Sequence, residues 1–131
     1  MRRIFIRTVH ALILLALPAI TVGDTFLYFQ SQPGDWVGGG VVRTWTTADG
    51  VFTARHPSDN LVSVSFDGND WWDLNFAAPS GQILAPGTYE NATRYPFQSP
   101  TEPGLDIGGD GRGCNELTGR FAILEAQYGP G

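Results

Sequence analysis

Leu61-Val62-Ser63-Val64-Ser65-Phe66-Asp67-Gly68-Asn69-Asp70-Trp71-Trp72-Asp73-Leu74-Asn75-Phe76 reads as two extended arms around a turn. In the first arm Val62, Val64 and Phe66 share one side, and Leu61, Ser63 and Ser65 share the other. In the second arm Trp72, Leu74 and Phe76 fall on one side, and Trp71, Asp73 and Asn75 on the opposite side. Successive side chains of a strand alternate between faces, so both arms describe strands with one face on a core and one toward water. Asp67-Gly68-Asn69-Asp70 supplies the turn, because Gly, Asn and Asp tolerate the backbone angles that tight turns need.

The same period of two extends outward from this hairpin. Upstream, Phe26–Gln30 and Val41–Thr46 read as strands, the second rich in β-branched and aromatic residues. Asp49-Gly50 is a hairpin signal that makes Val51–Arg55 the return strand of Val41–Thr46. Trp36, after Gly34-Asp35, is expected to plug a loop. Downstream, Leu84-Ala85-Pro86-Gly87-Thr88-Tyr89 enters a strand through a turn and places a tyrosine near its start, as β-sandwich corners do. Tyr95–Gly104 carries three prolines and no periodicity, and reads as an ordered surface crossing. Leu105-Asp106-Ile107 is a short strand, and Arg120–Tyr128 reads as a final one, with a short helix as the alternative. About eight strands with Gly, Pro and Asp turns imply an all-β domain: an antiparallel β-sandwich, jelly-roll-like in character.

Residues 1–23 do not belong to that domain. Arg2, Arg3 and Arg7 form a basic start, an apolar run follows from Ala11 to about Val22, and small residues stand at Thr21 and Gly23. This is the layout of a secretory signal-peptide helix. Its apolar run is shorter than the roughly 20 residues that span a bilayer. The β-domain is thus expected over residues 24–131, secreted or periplasmic, with no membrane span after cleavage. In that domain five arginines face thirteen acidic residues, a net charge of −8, and there is no lysine. Phosphate binding needs clustered Lys and Arg, so nucleic acid is excluded as a partner. Anionic membrane surfaces are disfavoured on the same ground.

Cys114 is the single cysteine, set in Gly108-Gly109-Asp110-Gly111-Arg112-Gly113-Cys114-Asn115. Oxidising compartments favour paired cysteines, so it is a free thiol, an intermolecular half-cystine, or one member of a pair whose partner is missing. No Lys-Ser/Thr completes a phosphate loop there. The stretch reads as a tight structural loop in which Arg112 ties down acidic or carbonyl neighbours. Tyr128-Gly129-Pro130-Gly131 is a turn signal with nothing after it, and a terminal strand would leave an unpaired edge. On that ground the domain is expected to be C-terminally incomplete.

The ordered string Trp71-Trp72-x-Leu-x-Phe-Ala-Ala-Pro79, Leu84-x-Pro-Gly-Thr-Tyr89, Pro96-Phe97-Gln98, Pro103-Gly104-Leu105 and Gly111-Arg-Gly-Cys-Asn115 resembles an uncharacterised family of exported bacterial β-sandwich domains. The likeness covers roughly Thr25 to Gly131. It implies further strands beyond this chain's last residue and a second cysteine bridged to the position of Cys114. It names no activity.

Chemistry-bearing constellations are few. His56 is the sole histidine after the leader, placed in a loop before Pro57, and no nucleophile elbow is present. One Cys and one His do not build a zinc site. Asp67, Asn69 and Asp70 are weak calcium candidates, since the same residues serve any hairpin turn. No cofactor is implied. Asn91-Ala92-Thr93 fits a glycosylation pattern, placed at a strand end and not expected to be used. A glycoside hydrolase needs two carboxylates facing a cleft, and no pair stands out. Trp71 differs, because it falls on the polar face beside Asp73 and Asn75. An exposed indole stacks on a sugar's CH face while polar neighbours take its hydroxyls. The expectation is a non-catalytic module that binds a glycan or cell-surface component through Trp71, Asp73 and Asn75. The alternatives are a structural or adhesion module without a small ligand and, less favoured, a glycoside hydrolase-like enzyme.

Overall fold

A computed structural model describes residues 25–129; the expected signal-peptide helix lies outside the described residues. The described chain is all β, with eight strands: β1 Phe26–Gln30, β2 Val42–Thr46, β3 Gly50–Ser58, β4 Leu61–Gly68, β5 Trp71–Ala77, β6 Gly87–Arg94, β7 Gly104–Gly109 and β8 Thr118–Ile123. They form a two-stranded ribbon, β1-β2, and a six-stranded sheet in the order β3-β4-β5-β7-β6-β8. The ribbon packs on one face of the large sheet as the smaller layer of a sandwich.

The β4-β5 hairpin forms as its alternation requires. Phe66 pairs with Trp72, Val64 with Leu74 and Val62 with Phe76 on the inner face, while Ser65 pairs with Asp73 and Ser63 with Asn75 on the outer face. The inner face makes two clusters. In one, Trp45, Phe66, Trp72 and Leu74 are buried, with Phe29 and Phe52 packed against them. Phe29 from the ribbon meets Trp72 edge-on at 4.7 Å between ring centroids and Trp45 at 5.3 Å. Burying aromatics of this size stabilises by about 1.5–3 kcal/mol each, and edge-to-face geometry adds to that. The second cluster holds Ala78, Leu84, Ala92, Leu105 and Phe121. Tyr89 stacks on Phe121 at 4.7 Å, and its hydroxyl donates to the Ala85 carbonyl and accepts from the Ala85 N–H. That closes the expected tyrosine corner across Pro86-Gly87.

Several details differ from the sequence expectation. Asp49-Gly50 does not close a hairpin: β2 pairs with β1, and β3 pairs with β4. The chain instead turns a corner between layers, with the Asp49 carboxylate capping the Thr46 N–H and hydroxyl at 2.8 Å each. One neighbouring pair is parallel, Thr93–Gly104 and Arg94–Leu105 of β6 and β7, because the Pro-rich 95–103 crossing returns the chain beside the strand it left. β8 ends at Ile123, and residues 125–129 run irregularly. Tyr128 anchors that run by donating to the Leu84 carbonyl and stacking on His56 at 4.2 Å. His56 therefore lies in β3, not in a loop. Trp36 is 69% exposed rather than a loop plug, since Asp35 closes that loop through Ser31 and the Gly38 N–H. Asn91 sits at a bulge inside β6 with φ of 54°, not at a strand end.

Candidate functional site

The outer face of β3, β4, β5 and β7 carries the site. Cross-strand pairing stacks polar side chains in rows: Thr53, Ser65 and Asp73 in one, Arg55, Ser63, Asn75 and Asp106 in the next. These residues line a groove of about 500 Å³. Volumes of this order match small-ligand sites. The alternation that sends Trp72, Leu74 and Phe76 inward puts Trp71, Asp73 and Asn75 here. The structure thus gathers the three expected residues on one face.

The groove offers both donors and acceptors. The Ser63 hydroxyl donates to Asn75 Oδ1 at 2.7 Å, which leaves the Asn75 amide nitrogen as a donor toward the groove. Among the described residues neither Arg55 nor Asp73 has an ion-pair partner. Asp106 lies 3.9 Å from the Arg94 guanidinium. Burial pushes the Asp106 carboxyl above the usual range for an aspartate, and the Arg94 charge offsets part of that rise. Asp73 and Asp106 stand diagonally on adjacent strands, since Asp73 faces Gly108 and Asp106 faces Asn75. Sequence reasoning missed Arg55, Ser63, Ser65 and Asp106 as members of the site. Ser63 and Ser65 were assigned to the polar face, but no local signal placed β7 beside β5.

Trp71 stands at one end of the polar rows, one strand repeat from Asp73 and 47% exposed. Its backbone is braced by the glycine-rich loop. Gly109 and Arg112 exchange hydrogen bonds of 2.9 and 2.8 Å around Asp110-Gly111, whose φ angles are 49° and 70°. Two successive positive φ values make a type I′ turn, which matches the twist of paired strands. From that turn the Asp110 carboxylate accepts the Trp71 N–H at 3.3 Å, and the Asp110 N–H donates to the Trp71 carbonyl at 3.1 Å. Gly109 is required, because a Cβ there would meet the Trp71 carbonyl and the Trp72 ring.

The other expected residues take structural places. Arg112 pairs with Asp110 at 3.5 Å and lies over the Trp72 ring at 5.6 Å. Its side chain thereby links the loop to the core. Cys114 is a free thiol, half-buried, beside a separate pocket of about 300 Å³ next to the ribbon. Of the turn residues, Asp70 accepts the Trp45 indole N–H at 3.1 Å and lies 3.7 Å from Arg43. Its carboxylate links ribbon to sheet. Asp67 pairs with Trp71 across the hairpin, and Asn69 is an exposed turn residue. Among the described residues no group of three or more His, Cys, Asp or Glu side chains is placed to hold a metal ion, and no helix is long and apolar enough to cross a membrane. Comparison with known proteins finds no matching family, no matching curated protein and no matching solved structure.

Proposed function

We propose that this chain is an exported module that binds a glycan on the outer face of its larger sheet. Trp71 supplies the stacking platform, and Asp73 and Asn75 supply hydroxyl contacts. One observation carries the reading: the half-exposed Trp71 lies on the same sheet face as a groove lined by donors and acceptors, one strand repeat beyond its Asp73. Hydroxyls both donate and accept, so a floor with an unpaired arginine, an amide nitrogen and carboxylates suits them. The leader-like first 23 residues and the likeness to exported β-sandwich domains support the placement outside the cytoplasm. Affinity electrophoresis against a polysaccharide panel tests the reading. Retardation of the full chain is expected, with Trp71→Ala weakening it about tenfold, the equivalent of some 1.4 kcal/mol of lost stacking. Retardation unchanged in Trp71→Ala would sink it, and a structural or adhesion role would take its place.

A second reading has one observation in its favour. Asp106, with its raised carboxyl, and Asp73 share the groove, and glycoside hydrolysis uses one protonated and one ionised carboxyl. Release of reducing ends by the full chain, abolished in both Asp106→Asn and Asp73→Asn, would establish it. Absence of release from every polysaccharide that binds would end it.

A further inference from the structure

Resting on that glycan reading, we propose that the ligand is an internal stretch of a linear, uncharged polysaccharide, held by Trp71 at one end and by Phe97 beyond the other. Trp71 and Asn75 are four residues apart on β5, which is ~13 Å along an extended strand. Asn75 faces Asp106 on β7. Arg94, on the next strand, reaches Asp106 and lies over the Phe97 ring at 5.1 Å from its centroid. Phe97 is 74% exposed. Its loop folds onto the outer face, because the neighbouring Gln98 side chain occupies the space a Gly104 Cβ would take, and Gly104 shares its row with Ala77 on that face. Trp71 thus stands one strand repeat beyond Asp73 at one side of the polar floor, and Phe97 is tied through Arg94 to Asp106 at the other. A single sugar covers one ring, whereas a chain of several sugars reaches both.

Charge sets the class of polymer. Arg94 offsets Asp106, and the unpaired Arg55 and Asp73 are of opposite sign, so the floor carries no excess of either. The surrounding domain is acidic, with a net charge of −8 after residue 23. Anionic polymers are repelled, and nothing in the floor favours cationic ones.

Affinity electrophoresis of the full chain in gels containing hydroxyethyl cellulose, glucomannan or laminarin, against alginate and polygalacturonate, tests this. Retardation is expected in at least one neutral gel and in neither acidic gel. Phe97→Ala is expected to weaken it about fivefold with an unchanged thermal midpoint, as the ring is solvent-exposed. A hexasaccharide of the retained polymer should relieve retardation, and its monosaccharide should not. Relief by the monosaccharide, full retardation of Phe97→Ala where Trp71→Ala loses it, or preference for the acidic gels overturns the inference while leaving the glycan reading standing. No retardation in any gel overturns both.

Discussion

At the scale of single residues, two glycines in one loop serve different ends. Gly111 has φ of 70° with open space around it, so its value is conformational freedom. Gly109 has no room for a Cβ, because the Trp71 carbonyl and Trp72 ring stand there. Gly111→Ala is expected to lower unfolding free energy by about 1 kcal/mol, the cost of holding a side chain in the left-handed region. Gly109→Ala is expected to cost about 3 kcal/mol or more, since Trp72 is fully buried and cannot give way. Urea titration of both variants checks the order, and equal losses would contradict it. Only part of this was legible beforehand. A glycine-rich loop was visible as a tight turn, but which glycine is conformational and which is steric depends on β5, more than thirty residues away in sequence.

At the scale of elements, the ribbon depends on the loop that joins its strands. Asp35 accepts the Ser31 hydroxyl at 2.6 Å and the Gly38 N–H at 2.8 Å. These bonds, that from Ser31 foremost, hold its carboxyl below the usual value of 3.8. A carboxyl lowered in the folded state stabilises above its unfolded pKa, and that contribution is lost as pH falls through the folded one. Asp35→Asn is therefore expected to lower stability at pH 7 by about 1 kcal/mol or less, given its solvent exposure, and to narrow its deficit relative to the wild type below pH 3.8. Thermal melts from pH 7 to pH 2 measure this; a deficit that stays constant with pH would contradict it. Among the elements, β4-β5 was fully legible because strict alternation over both arms has one physical solution. The β2-β3 corner was not, since Asp-Gly satisfies a corner between layers as well as a hairpin turn.

At the scale of the whole molecule, local chemistry and chain topology divide the credit. The far ends of β3, β6 and β8 aside, which reach Ser58 and Arg94 and stop at Ile123, the all-β class, the two arms of the β4-β5 hairpin, the buried face of Trp72, Leu74 and Phe76 and the tyrosine corner at Tyr89 follow from period, turn residues and burial. Each of these rests on neighbours within about ten residues, where covalent geometry leaves few choices. The sheet order β3-β4-β5-β7-β6-β8, the parallel β6-β7 pairing and the ribbon as second layer rest on partners far apart in sequence. The candidate site belongs to the same division. Trp71, Asp73 and Asn75 were predictable as one strand's outer face. Arg55 and Asp106 join them only because β3 and β7 flank the hairpin. No local pattern carries that information, since pairing between distant strands is selected by how completely both cores close, not by the residues at the pair alone.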